Sequence, residues 1–339
     1  MSEKANKVVL LLNLGTPKAP TVPKVRQYLS QFLNDPRVID INPIGRALLV
    51  NGIIVPFRAP KSTKIYKELW TPAGSPLLIH GENLKKKVQE ELGDEYKVEL
   101  AMRYQEPSIP DVLERIRKFN PKEIIVFPLF PQYASSSTGS ALQAVMDVVR
   151  KWWVIPELRF VSQYFDREDY IEAQAEVAKD YPHENYDHVL FSYHGLPERQ
   201  VDKVYDDDLC QDHNCETRYE RDNQFCYKAA CFETTRLIAK RMGIPEEKYT
   251  VGFQSRLDKK WLTPFSDELV EAFAKAGHKK LLVFSPAFTA DCLETTIEIG
   301  DEYDEIFKEH GGEELQLVPS LNDNPKWVQT VVNIVREKS

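Results

Sequence analysis

Residues 189–198 read V-L-F-S-Y-H-G-L-P-E. Val189, Leu190 and Phe191 are strand-forming residues, and Gly195 and Pro197 then force the chain to turn. His194 is therefore expected at the carboxyl end of a buried strand, the edge at which open α/β sheets bind ligands. The stretch V-L-L-L-N-L-G-T-P at residues 9–17 aligns with residues 189–197 at one offset of 180, with Val, Leu, Gly and Pro matching. I-I-V-F-P-L-F from Ile124 resembles L-L-V-F-S-P-A from Leu281 at an offset of 157. Further apolar runs at Val98–Met102 and Thr250–Phe253 alternate with amphipathic stretches at Pro110–Phe119, Tyr170–Ala178, Glu233–Met242 and Ser266–Ala276. That alternation specifies βαβ units and parallel sheets. The repeated strand ends predict an α/β chain of two related doubly wound halves facing each other. The expected division is 7–155, then 156–322 with a cysteine-bearing insert at 205–232, then a closing helix in 323–339.

Composition narrows the function classes. The chain has 339 residues, 42% hydrophobic and 28% charged, which suits two globular units. With 44 Lys and Arg against 52 Asp and Glu the formal charge is −8, which argues against a nucleic-acid binder. M-S-E-K-A-N-K has no signal-peptide pattern, and no run approaches the roughly 18 apolar residues of a membrane span. A cytoplasmic protein is expected, with its five cysteines reduced.

Carboxylates that could answer His194 lie in residues 284–307, F-S-P-A-F-T-A-D-C-L-E-T-T-I-E-I-G-D-E-Y-D-E-I-F. A strand should end near Phe284 and a helix begin near Asp291. Glu294, Glu298, Asp301, Glu302 and Glu305 are mostly three or four apart, so an α-helix puts them on one face. Such like charges repel one another, and a cation passing along them would relieve the repulsion. A solvated acidic helix start is the plainer alternative. A neutral imidazole opposite Glu294 would suit a divalent first-row metal or accept protons near neutrality. No H-E-x-x-H, G-x-S-x-G or Walker loop competes. The run S-S-S-T-G-S from Ser135 has the look of an anion-binding turn but lacks the P-loop lysine.

Taken together, L-N-L-G-T-P from Leu12, R-A-P-K from Arg58, G-S-P from Gly74, R-Y from Arg103, P-Q-Y-A-S-S-S-T-G from Pro131, S-Y-H-G-L-P from Ser192, F-Q-S-R from Phe253, W-L from Trp261 and F-T-A-D-C-L-E-T from Phe288 resemble the ferrochelatases. The resemblance runs from about Val8 to the C-terminal helix. It implies two Rossmann-like halves around a porphyrin cleft and ATP-independent insertion of Fe(II), most simply into protoporphyrin IX, to form haem. It implies His194 as active-site histidine with Glu294 across the metal site. Glu298, Asp301 and Glu302 would form the cation path, and Arg58, Tyr66 and Ser75 would contact the porphyrin or its propionates. Tyr133, Trp261 and Phe288 would be wall residues. Cys292 stands where many members of that family carry His. Metal insertion needs a base for two pyrrole protons and strain in the macrocycle, of roughly 1–5 kcal/mol, drawn from remote contacts. Apolar walls and a rim arginine can supply those contacts.

C-Q-D-H-N-C (Cys210 to Cys215) and C-Y-K-A-A-C (Cys226 to Cys231) put four of the five cysteines within 22 residues. This spacing departs from the C-x₂-C of zinc fingers. Four thiolates in a reducing compartment can hold [2Fe–2S], and some ferrochelatases carry such a cluster in an internal segment of this kind. Structural zinc and free thiols remain alternatives, and Cys231 also reads as part of a core helix. Residues 46–58, R-A-L-L-V-N-G-I-I-V-P-F-R, are either a core helix or an apolar lip touching a membrane surface. Two other functions compete with iron insertion: cobalt or nickel chelation into a sirohydrochlorin-type ring, and haem or metal binding without turnover.

Overall fold

The computed structural model describes residues 6–339. Its eight strands are β1 (Lys7–Gly15), β2 (Tyr96–Tyr104), β3 (Glu123–Pro128), β4 (Glu157–Phe160), β5 (His188–His194), β6 (Tyr249–Gln254), β7 (Lys280–Phe284) and β8 (Glu314–Leu317). They form two four-stranded sheets, ordered β2-β1-β3-β4 and β6-β5-β7-β8, and every pair is parallel. The sequence echo is thereby explained. Its two matched pairs are β1 with β5 and β3 with β7, which occupy the same places in their sheets. Parallel strands are covered on both faces and read as continuous apolar runs; Val8 to Leu12 and Ile124 to Phe127 are wholly buried.

The echo also explains its shared glycine. Gly15 closes β1 with φ +117°, and a Cβ there would lie 2.0 Å from the Tyr104 carbonyl oxygen on β2. At Gly195, just past β5, a Cβ would lie 2.8 Å from the Gln254 carbonyl oxygen on β6. In both halves the first strand ends against its neighbour's backbone, leaving no room for a side chain.

Among the described residues, twelve α-helices join and cover the strands. They are α1 (Val22–Leu33), α2 (Pro43–Leu48), α3 (Val55–Leu69), α4 (Pro76–Leu92), α5 (Ile109–Phe119), α6 (Ser140–Val149), α7 (Glu168–Ala178), α8 (Glu198–Val201), α9 (Tyr227–Met242), α10 (Ser266–Lys275), α11 (Asp304–Glu309) and α12 (Pro325–Lys338). Local chemistry sets their ends. The Ser108 hydroxyl accepts the Asp111 N–H to start α5, and Asn120 ends it in the left-handed conformation.

The chain divides into two compact units. Among the described residues, one comprises 6–130, 134–162 and 328–339; the other comprises 131–133 and 163–327. The first half thus extends past the join expected at 155/156, because β4 hydrogen-bonds β3. The closing helix is not a separate piece: from Val328 it belongs to the first unit. No described helix is long and apolar enough to cross a membrane.

Candidate active site

His194 ends β5, in register with Gln254 on β6. Its Nδ1 lies 2.7 Å from the Gly195 carbonyl oxygen, which can only accept, so Nδ1 carries the proton. Nε2 then presents a lone pair, with no other hydrogen bond to the ring among the described residues. Trp261 and Phe288 flank the half-buried imidazole, with ring centroids 6.4 and 6.5 Å away. Tyr227 secures the backbone by donating to the His194 carbonyl at 2.9 Å.

The acidic segment takes a less common form than expected. Glu294–Tyr303 is a π-helix, starting three residues beyond Asp291. Its i→i+5 bonding widens the turn, a feature frequent at functional sites. Asp291 stays outside, accepting from the Asn322 amide at 2.7 Å and the Ser320 N–H at 3.0 Å. Glu294 and Glu298 are half-buried, whereas Asp301 and Glu302 are exposed.

Glu298 is fully engaged. Oε1 accepts the Ser255 N–H at 2.9 Å and the Tyr303 hydroxyl at 3.3 Å. Oε2 accepts the Ser255 hydroxyl at 2.6 Å and the Gln254 amide at 3.1 Å. A carboxylate offers about four lone-pair sites, so a cation could engage Glu298 only by displacing one of these donors. Ser255 adopts φ +62° to aim both of its donors at Glu298, a conformation uncommon outside glycine.

Gln254, 1% exposed, links the histidine strand to the π-helix. Its amide nitrogen donates to the Glu294 carbonyl at 2.9 Å as well as to Glu298, and its amide oxygen accepts from Ser192 at 3.0 Å. Its backbone carbonyl accepts the Gly195 N–H at 2.8 Å. Sequence reasoning overlooked this residue. The signal available was the F-Q-S-R motif at the end of a strand pairing with the histidine strand. Cys292 is buried, which pushes its thiol up, and the nearby Glu294 charge adds to that.

In the first unit the expected contact residues stand apart in character. Arg58 on α3 is exposed. Tyr66 is buried edge-on against Tyr28 at 6.2 Å. Ser75 is buried, with its hydroxyl 2.9 Å from that of Thr16. Tyr133, in the second unit, packs edge-on against Phe225 at 6.0 Å. A network missed at the sequence level centres on Asp35. This carboxylate accepts from Ser140 at 2.5 Å, Arg103 at 2.6 Å, Tyr104 at 2.9 Å and the Arg37 N–H at 2.7 Å. Burial opposes its charge, but the bonds from Ser140 and Arg37 and the Arg103 charge outweigh burial and hold the carboxyl below its usual range. The serine run borders this network: Ser135 accepts from Arg37 at 2.7 Å.

In the cysteine insert, Cys210, Cys215 and Cys226 are buried with sulfurs mutually within 4.8 Å. Cys210 and Cys226 are 3.5 Å apart. Cys231 is not in this group. It is buried inside α9, though near enough for the Cys226 charge to raise its thiol beyond the effect of burial. The Tyr205 hydroxyl lies 3.1 Å from Cys215 Sγ and the Asn223 amide 3.7 Å away. Together with the thiols of Cys210 and Cys226, these donors pull Cys215 toward thiolate. All five cysteines are free.

Comparison with known proteins identifies the family. The family model described as Ferrochelatase matches residues 6–339. A ferrochelatase of Legionella pneumophila (strain Lens) is 43% identical over 97% of this chain and 98% of its own. A ferrochelatase of Coxiella burnetii (strain CbuG_Q212) is 43% identical over 98% of this chain and 94% of its own. Among solved structures, SirB from Bacillus subtilis with Fe3+ superposes with a TM-score of 0.51 at 16% identity, covering 98% of this chain and 95% of that one, which speaks for the shared α/β fold. The chain therefore belongs to the ferrochelatase family, metal-chelating lyases that insert Fe(II) into a porphyrin to make haem.

Proposed function

We propose that the porphyrin is protoporphyrin IX and that His194 Nε2 accepts the pyrrole protons as iron enters. What supports the role of His194 is the bond from Nδ1–H to the Gly195 carbonyl, which leaves Nε2 unprotonated beside the Trp261 and Phe288 rings; protoporphyrin IX is supported by the family resemblance alone. With Nε2 unprotonated, the ring can take a proton from the macrocycle and pass it to water within one cycle. Glu294 holds the incoming cation and balances the imidazolium charge. Asp301 and Glu302 gather Fe(II) from solvent, while Glu298, with its lone pairs occupied, holds the π-helix to β6. Trp261, Phe288 and Tyr133 supply apolar contact for the macrocycle. For Arg58, Tyr66 and Ser75 the support is the family resemblance alone.

In the insert, Cys210, Cys215 and Cys226 gather as metal ligands should, and Cys231 is the available fourth thiol. These residues fit [2Fe–2S], which would supply a one-electron redox centre and cross-link the segment. The exposed apolar residues Ile44, Leu48, Ile53 and Phe57 support a peripheral membrane contact of a cytoplasmic enzyme.

Anaerobic incubation of the purified chain with Fe(II) and either protoporphyrin IX or coproporphyrin III, followed by the Soret shift, tests the reading. Faster haem formation from protoporphyrin IX is expected; a clear preference for coproporphyrin III overturns the substrate assignment. Two irons per chain support the cluster, whereas one zinc or no metal refutes it.

A further inference from the structure

Within the motif C-Y-K-A-A-C of residues 226–231, the tyrosine reaches His194. Tyr227 opens α9 with Cys226 as its N-cap, and its side chain is buried. The helix that carries it is anchored elsewhere in the same unit. Tyr193 on β5 shares a hydrogen bond of 2.9 Å with Thr235, and the Gln132 amide donates to the Thr234 hydroxyl at 3.1 Å. From this anchored helix the Tyr227 hydroxyl donates to the His194 carbonyl at 2.9 Å.

The end of β5 needs such a donor. β7 pairs with β5 only as far as Phe191, whereas β6 pairs with it to His194. Ser192, Tyr193 and His194 therefore have a strand neighbour on one side only. In the peptide unit between His194 and Gly195, the N–H donates to the Gln254 carbonyl on β6 at 2.8 Å, and the C=O accepts from Tyr227. One peptide is thus held at both of its polar ends, by a strand and by a helix. The imidazole hangs from the Cα on one side of this peptide. The Gly195 carbonyl, 2.7 Å from Nδ1, follows the Cα on the other side. Turning the peptide would swing that carbonyl away from the ring.

We infer that Tyr227 is a positioning residue for His194: its hydroxyl fixes the His194–Gly195 peptide, so that the Gly195 carbonyl keeps the imidazole proton on Nδ1 and Nε2 stays free to accept. Which ring nitrogen carries the proton is set by the hydrogen bond that the other nitrogen or its own N–H makes, so the tautomer depends on where that carbonyl stands. Letting a catalytic histidine take the wrong tautomer can cost on the order of 10⁴ in kcat. Gln254 still holds the peptide N–H when the Tyr227 hydroxyl is gone, so the loss here is smaller. The inference rests on His194 being the base and names the residue that keeps it in its accepting form.

The test is Tyr227→Phe, which deletes the hydroxyl and keeps the ring. Beside it stands Tyr193→Phe, which deletes the other hydroxyl bond between α9 and β5 and leaves the His194–Gly195 peptide untouched. Anaerobic haem formation gives kcat and KM for each full chain. Nitrogen NMR of protein carrying isotopically labelled histidine reports the ring tautomers, with the His194 signals identified by their loss in His194→Ala. In Tyr227→Phe, kcat should fall about tenfold or more with the porphyrin KM within about twofold of wild type, the split expected when chemistry and not binding is disturbed. Its His194 signals should move from those of an Nδ1–H ring towards a mixture of tautomers. Tyr193→Phe should keep kcat within about twofold of wild type and leave those signals in place. Unmoved His194 signals in Tyr227→Phe, or a loss of kcat that Tyr193→Phe matches, would make the bond a general prop of the fold and overturn the inference. A His194→Ala protein that keeps its turnover sinks the base and this inference with it, whereas unmoved signals sink the role of Tyr227 alone.

Discussion

Replacing Gln254 with leucine should slow turnover far more than it weakens porphyrin binding. The change keeps the volume roughly constant but removes two donated bonds, to the Glu294 carbonyl and the Glu298 carboxylate, and the bond accepted from Ser192. A hydrogen bond to a charged group contributes about 1.5–3 kcal/mol and a neutral one about 0.5–1.5. Ser192 keeps Ser266 as a partner at 2.8 Å, and Glu298 keeps its three bonds from Ser255 and Tyr303. The Glu294 carbonyl loses this tie to β6. A net destabilisation of about 2–3 kcal/mol follows, which for a unit of this size lowers the melting temperature by roughly 5–10 °C. The larger effect is on geometry, because Gln254 connects the histidine strand to the π-helix that carries Glu294. Misplacement of a reacting group by about 1 Å can cost on the order of 10²-fold in rate. In an anaerobic Soret assay kcat should therefore fall about 10–100-fold, with KM for the porphyrin within about twofold of wild type. A variant that melts lower yet keeps full kcat would refute the idea that Gln254 positions the site.

Other perturbations reach the scaffold. Burial and the nearby charges of His278 and Lys248 hold His188 down at about 4. The unfolded chain, with a pKa near 6.5, binds that proton first, so stability is full above the unfolded pKa and falls as pH drops from 6.5 towards 4. Between pH 7 and 4.5 this amounts to about 2–3 kcal/mol, and urea titrations of His188→Gln should show that much less acid sensitivity; an unchanged slope would be contrary. Gly15→Ala must push Tyr104 off β1 and hold alanine at φ +117°, so a loss of about 3 kcal/mol or more in denaturant unfolding is expected, whereas a loss under 1 would contradict the close strand approach.

Much of this architecture could be read from sequence because parallel strands covered on both faces leave uninterrupted apolar runs. The match between residues 9–17 and 189–197 went further, since the shared glycine marked a close approach to the neighbouring strand's backbone in each sheet. The domain border was harder to see. β4 is an edge strand of four residues, none of them fully buried, so E-L-R-F carries little apolar signal and its sheet could not be assigned. The π-helix was equally hidden, because three- and four-residue spacings fit an α-helix and only tertiary hydrogen bonds select the wider turn. Glu298 shows the consequence. As a residue type it suits a cation path, and only the bonds from Ser255, Gln254 and Tyr303 show that its lone pairs are occupied. Gln254 and Asp35 were missed for a related reason: a buried polar residue has no periodicity, and its importance lies in partners distant along the chain.

The central claim is that His194 accepts the pyrrole protons, and its most direct test is His194→Ala assayed separately for binding and turnover. Porphyrin fluorescence quenching should show an affinity within a few-fold of wild type, while anaerobic haem formation falls by 10²-fold or more, the usual scale for loss of a general base. A folded His194→Ala protein that binds porphyrin and keeps more than about a tenth of wild-type turnover, short of even the smallest such loss, would remove His194 from the mechanism.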